Sequence, residues 1–304
     1  MRLTSEEQRS AVRDTFRYLA VIALAIVCLP SAPAGQTPTP VPVDGFITMN
    51  GSPVGTQVTP SVMRTGTLGF VGGTWTVNDS AVAIKVGPSH FPMPFPIQVG
   101  GTVYPTTYST QSMQYDTFYN FNNMQANFPN NTFKAVTVSG YITFGIPNLL
   151  GNGASLSDLV RIDLSVGALA VLQLFNGNAP GDKYAVNIET DVSGTTHSPF
   201  ITVTPGGSYW YSFKADYGNG KAYLNIYDTP NFNLVGSVIA STKKGSDFGF
   251  IRIGNAEEAK SNDHTHFNYF EKTVIDWTNA AFPLVPTSTS NQSPAPPANL
   301  RIVG

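Results

Sequence analysis

The sequence predicts an all-β protein, built as a two-sheet antiparallel sandwich of jelly-roll type. Three observations carry that prediction. Runs that alternate apolar and polar residues recur from Thr74 to Trp277, each bounded by Gly, Asn or Pro. Almost nothing between them follows the 3.6-residue period of a helix. No segment repeats at a fixed spacing, which disfavours propellers and solenoids. Many short strands with tight connections bury their apolar sides most simply as two facing sheets.

The elements follow in chain order. Arg9, Arg13 and Arg17 precede the apolar run "LAVIALAIVCL", and Ala32 and Ala34 precede Gly35. Residues 1–34 therefore read as a secretory signal peptide, which predicts a secreted or cell-surface protein. The run from Leu19 to Leu29 is shorter than the roughly 20 apolar residues that span a bilayer, so no membrane anchor is expected after cleavage. Cys28 is the sole cysteine and would leave with the signal, so no disulfide, thiol nucleophile or cysteine-bound metal is expected. The stretch "QTPTPVPV" marks residues 35–43 as an extended linker. Residues 44–286 form the expected domain. Residues 287–304 are a Pro/Ser/Thr-rich tail whose end, "PPANLRIVG", resembles the opening strand of a fibronectin type III module.

Within the domain the expected strands are "TWTVNDSAVAIKV", "KAVTVSGYITFG", "LVRIDLSV", "ALAVLQLF", "YAVNIET", "FITVT", "YWYSFKA", "AYLNIYD", "VGSVIAS", "FGFIRIG" and "KTVIDW". In one hairpin the Asn219-Gly220 pair suits a two-residue turn, where both central residues need positive φ. Counting outward sets Tyr217 opposite Ala222, Ala215 opposite Leu224 and Phe213 opposite Ile226 on the core side. The opposite side receives Ser212, Lys214 and Asp216 with Tyr223, Asn225 and Tyr227, and Trp210 one step further on. That side reads as a wet face with three large rings.

The order "SPFITVTPGGSYWYSFKADYGNGKAYLNIYD", "VGSV", "FGFIRIGNAEEA", "FNYFEKTVIDW" resembles the second half of concanavalin A-like lectin/glucanase domains of the laminin-G-like group. The resemblance covers about residues 155–285. It implies the jelly-roll fold and, for function, a set that includes lectins, adhesive modules, glycoside hydrolases and polysaccharide lyases.

Composition narrows the partners. Seventeen Lys and Arg face 19 Asp and Glu, for a net charge of −2, and no basic stripe is present. Nucleic acid and anionic membrane are therefore not expected ligands. The scarcity of charge, at 12%, is shared with exported bacterial β proteins. Hydrolases of the resembled superfamily carry E-x-D-x-x-E on one strand, so that two carboxylates flank the scissile bond. Here "ETDVSG" offers Glu189 and Asp191 without the second glutamate, and both read as solvated strand-end carboxylates. The "YSFKADYGNG" string echoes one alginate-lyase strand, but its partner motifs are missing. The expectation leans away from catalysis.

Two binding sites stay open. The stretch "NDHTHFNYFEKTVIDW" places His264 and His266 on one side of an extended chain; with Asp263 and Glu257 they form a weak candidate for a divalent metal such as Ca²⁺, the one cofactor the residues suggest. The polar loop around them is the plainer reading. The wet face supplies what a sugar needs: rings to stack under C–H bonds and paired donors and acceptors for hydroxyls. Its candidates are Trp210, Lys214, Asp216, Tyr223, Asn225 and Tyr227. The "SHFPMPFPIQVGGTVYP" segment, residues 89–105, is placed as a loop able to cover it. The expected function is a secreted carbohydrate-binding or adhesive module. A polysaccharide-degrading enzyme with a variant active site is the alternative, and a structural surface protein the third.

Overall fold

The computed structural model describes residues 41–42, 52–58, 74–78, 84–91, 96–99, 102–104, 108, 111–116, 123–128, 133–145, 155–164, 169–176, 184–192, 194–245, 248–255, 267–277 and 280–286. All belong to the unit Pro38–Gly304. The strands are β1 (Val41–Pro42), β2 (Thr74–Asn78), β3 (Ile84–Pro88), β4 (Ile97–Val99), β5 (Thr102–Tyr104), β6 (Gln111–Asp116), β7 (Asn123–Asn127), β8 (Ala135–Thr143), β9 (Ser155–Leu164) and β10 (Leu169–Asn176). They continue as β11 (Tyr184–Thr190), β12 (Thr196–His197), β13 (Ile201–Thr202), β14 (Ser208–Asp216), β15 (Lys221–Tyr227), β16 (Leu234–Ser241), β17 (Phe248–Gly254), β18 (Phe267–Asp276) and β19 (Val285–Pro286). Among the described residues there is no helix.

Two large antiparallel sheets form the sandwich. The first runs β16-β15-β14-β8-β18-β6-β3, with β1 beside β18; the second runs β12-β11-β10-β9-β17-β7-β2, with β13 beside β11. A small third sheet, β19-β4-β5, is hydrogen-bonded to neither. The late strands β18 and β17 each lie between earlier ones, β8 and β6 in one sheet and β9 and β7 in the other. This interleaving is the jelly-roll arrangement, and it brings residues far apart in sequence into one row.

Period-two patterning explains the layers. Val238, Leu224, Phe213, Val138 and Ile275 are successive cross-strand partners and all are buried. They face Leu172, Leu174, Val160, Ile162 and Ile251 of the second sheet within one apolar core. Burial of that shared face supplies the main driving force for the fold.

The predicted hairpin keeps its faces but not its partners. Phe213 lies opposite Leu224 and Lys214 opposite Tyr223, a register two residues away from the expected one. The loop spans four residues because Tyr217 is drawn elsewhere: its N–H donates to Lys134 O at 2.8 Å, and its ring is buried in the core. Asp216 then closes the turn by accepting from Asn219 N at 3.0 Å and Nδ2 at 2.9 Å, and only Gly220 takes positive φ, at 67°. A slip of two preserves side-chain direction, so the core and outer sets survive.

The start of the fold also differs from expectation. Val41 and Pro42, inside the segment read as linker, pair with Ile275 and Val274. The partner strand β6 covers only Phe267 to Phe270 of β18, which leaves an edge further along for β1 to fill.

Leu224→Ala removes packed volume from the middle of the row and is expected to lower unfolding free energy by about 2 to 5 kcal/mol. Ile239→Ala, on an exposed outer position, is expected to change it by no more than about 0.5 kcal/mol. Urea titrations of both variants check the pair of values.

Candidate functional site

The outer face of the first sheet is built in rows. One row joins Ile239, Tyr223, Lys214, Thr137 and Asp276; the next joins Ser237, Asn225, Ser212, Ser139 and Val274; a third joins Tyr227, Trp210, Tyr141 and Glu271. The expected wet face is thus one continuous surface. Most of it is dry.

A second apolar cluster lies on this face, made of Ile97, Tyr108, Tyr141, Trp210, Tyr227, Val274 and Leu284, with Phe91, Phe232, Ala281 and Val285 packed against it. Trp210 is 0% exposed, and its Nε1 donates to Leu284 O at 2.7 Å. Leu284 N donates in turn to Ser212 Oγ at 3.0 Å. The Phe91 ring lies flat on Tyr141, with centroids 4.0 Å apart and 5° between planes. The covering material comes from the 89–105 segment through Phe91 and Ile97, from residues 280–286, and from Tyr108 and Phe232.

This corrects the reading of three rings exposed to water. Trp210 and Tyr227 are buried beneath the cover, because two large apolar rings on a sheet surface gain more from an apolar lid than from solvent. Asn225 is buried with them and donates from Nδ2 to Tyr227 OH at 2.8 Å.

The remainder forms a rim at the margin of the cover. Tyr223 stays half-buried, with its ring 5.5 Å from that of Phe282 and tilted by 42°. Lys214 Nζ stands 5.9 Å from the Tyr223 centroid and 3.2 Å from Asp216 Oδ2. Burial raises the Asp216 carboxyl, but hydrogen bonds from Asn219 and Lys214 outweigh it and hold the group below its ordinary range. Asp216 is thus a fixed anion that orients Lys214. Of the six carbohydrate candidates, the structure brings Lys214 and Tyr223 to the rim, buries Asp216 beneath Lys214, and seals Trp210, Asn225 and Tyr227.

Sequence reasoning passed over the polar cluster that pins the cover. Glu271 is 1% exposed and accepts from His90 N at 2.9 Å and from Ser89 Oγ at 2.8 Å. His90 Nδ1 also contacts its carboxylate, and the His90 ring meets Tyr269 edge-on at 4.8 Å. Lys272 Nζ donates to Ser89 Oγ at 3.0 Å. A β-bulge creates this cluster: from Glu271 to Val274 the strand advances three residues while β8 advances two, from Tyr141 to Ser139. Lys272 sits there with φ 53°. Gly140 is required opposite, since a Cβ on it would lie 2.9 Å from Thr273 Cα. One signal in the sequence was a carboxylate, Glu271, within the closing strand "FNYFEKTVIDW".

The outer face of the second sheet is polar. Gln173, 1% exposed, donates from Nε2 to Asp158 Oδ1 at 3.0 Å and to Glu189 Oε2 at 2.5 Å, so one amide holds two carboxylates together. Asp191 is paired separately, with Lys243 Nζ at 3.1 Å and Leu169 N at 3.1 Å. The partner of Glu189 is thus Asp158, two strands away, and not the neighbour in sequence. The metal candidates Glu257, Asp263, His264 and His266 lie outside the described residues. Among the described residues no three His, Cys, Asp or Glu converge.

No protein-family model matches the chain, and no curated protein sequence does. Solved structures do. The CBM2 module of Lactobacillus casei BL23 phage J-1 evolved Dit is 12% identical with a TM-score of 0.33, covering 64% of this chain and 90% of that one. Peanut lectin is 10% identical with a TM-score of 0.35, covering 67% and 95%. The botulinum neurotoxin serotype D binding domain is 12% identical with a TM-score of 0.41, covering 74% of this chain, which spans 47% of that structure.

Burial, then the charge of Glu271, pushes the Tyr141 hydroxyl from its usual 10.0 up to about 12. A folded-state value above the unfolded one contributes stability that is complete below pH 10 and lost as pH rises toward 12. The urea midpoint is expected to fall across that window, and to fall less steeply in Tyr141→Phe.

Proposed function

We propose that this chain is an exported module of concanavalin A-like type that binds carbohydrate without cleaving it. The half-exposed Tyr223 ring carries the reading. It stands on a hairpin whose register and turn are fixed by core packing, so its orientation costs little entropy on binding. Phe282 extends the apolar patch, and Lys214, held in place by the buried Asp216, offers a donor to sugar hydroxyls. Export is supported by the basic, apolar and small-residue order of the first 34 residues.

A glycan array with the full chain supplies the ligand. Tyr223→Ala is then expected to weaken binding about tenfold, the equivalent of a stacking contact worth about 1 to 2 kcal/mol, with the fold intact. Binding that is unchanged in a folded Tyr223→Ala variant places recognition elsewhere.

A second reading has its own observation. Two carboxylates held by a single amide nitrogen are as close as the nucleophile and acid of a retaining glycosidase, which stand about 5 to 5.5 Å apart. Asp158 is nearly buried, which suits the acid partner, and Glu189 is the more accessible of the two. On this reading the protein releases reducing ends from a polysaccharide, and Glu189→Gln abolishes the release while glycan binding at the rim persists. A panel of soluble polysaccharides with a reducing-sugar assay decides it.

A further inference from the structure

We propose that β16 is a dimerisation edge, on which a second copy of this chain pairs antiparallel to form one continuous sheet. The strand is eight residues long and ends the first sheet. Its ladder with β15 satisfies one side; among the described residues, Val235 to Ala240 form no other backbone hydrogen bond. Natural edges of this length are blunted by charged residues, by proline, by a bulge or by a covering segment. A bulge at Val235 interrupts the ladder with β15, and from Gly236 to Ser241 the pairing is regular. "LVGSVIAS" contains neither a charge nor a proline, and it exposes Leu234, Val235 and Ile239 at 56%, 44% and 57%. These are three of the six large apolar residues exposed among the described ones. An uncovered apolar strand with free backbone groups is a template for another strand.

Charge selects a second copy and sets its direction. Lys244 follows the end of β16, past Lys243, which is paired with Asp191 at 3.1 Å, and Lys221 donates from Nζ to Ser241 Oγ at 3.2 Å at the same end. At the opposite end stands Asp228, held by Asn233 N at 2.7 Å, and from Ile226 to Gly236 there is no basic residue. Antiparallel pairing brings the lysine end of each copy to the Asp228 end of the other, twice. Parallel pairing would set lysines against lysines.

Side-chain direction fixes the register. With the twofold axis through Val238, Val238 meets its own mate, Ala240 meets Gly236 and Ile239 meets Ser237, so inward residues join inward residues and both cores lie on the same side. Gly236, whose missing Cβ leaves room for Ile201, takes the small partner Ala240. The two Tyr223 rims then share one face, three strand spacings apart and two residues out of line, or about 16 Å. Two rims on one face raise avidity for a repeating polymer. The dimer itself stands whether or not the rim binds sugar.

Sedimentation velocity of the full chain over a range of micromolar concentrations tests this. The wild type is expected as a dimer. Ser237→Lys sets two new cations beside the axis, and Lys244→Glu reverses one lysine charge at each of the two symmetric ends, so each is expected to weaken the dimer at least tenfold with the melting temperature of the diluted protein unchanged. A wild type that stays monomeric throughout overturns the proposal, as does a dimer or larger oligomer that both variants form as tightly as the wild type.

Discussion

The outer face of the first sheet depends on one buried carboxylate. Glu271 is closed off from water and would be costly to bury alone, since desolvation of an ion outweighs a single contact. Its oxygens are met by the His90 amide, the Ser89 hydroxyl and the His90 ring, all from a segment about 180 residues earlier in the chain. The carboxylate is therefore satisfied only when that segment lies on the sheet, and the segment is held there by the carboxylate together with Lys272 on Ser89, Ser112 on Pro88, His90 on Tyr269 and the stacked Phe91.

From this anchor the rest of the surface follows. Phe91 settles on Tyr141, Tyr141 meets Trp210 edge-on at 5.1 Å, and residues 280–286 close over Trp210 through the bond to Leu284. A face that a lone sandwich would leave wet becomes a second core, and its accessible part shrinks to the margin where Tyr223 and Phe282 emerge. The bulge at Glu271 to Val274 makes this possible, because an unbroken ladder would turn alternate residues of β18 inward and leave no room for Lys272 and Thr273. Gly140 is the concession the facing strand makes to that bulge.

The two sheets divide their duties differently. The first covers its outer face with apolar side chains and a third small sheet, whereas the second keeps a polar face in which Gln173 links Asp158 to Glu189 and Arg252 reaches Gln125 Oε1 at 2.7 Å. Amide side chains in the middle of such a sheet satisfy several neighbours at once, which is why few ion pairs are needed there. With charge this scarce, hydrogen-bonded Asn, Gln, Ser and Thr carry most of the polar structure.

By itself the sequence determined the all-β sandwich, the inward set of Phe213, Leu224, Ile226 and Tyr217, and the side on which Trp210, Tyr223 and Tyr227 stand. Those follow from a two-residue period that is local and survives an error of two in register. It also marked residues 89–105 as material for a cover. Tertiary structure alone decided that Tyr217 would leave the turn for Lys134, that β1 would start the fold early, and that Trp210 would be sealed while Tyr223 remained at the rim. It alone set Glu271 against Ser89 and His90, and Glu189 against Asp158. Alternation tells which face a side chain takes, but what lies on top of that face depends on which distant segments the jelly-roll crossings bring there, and no local pattern encodes that pairing.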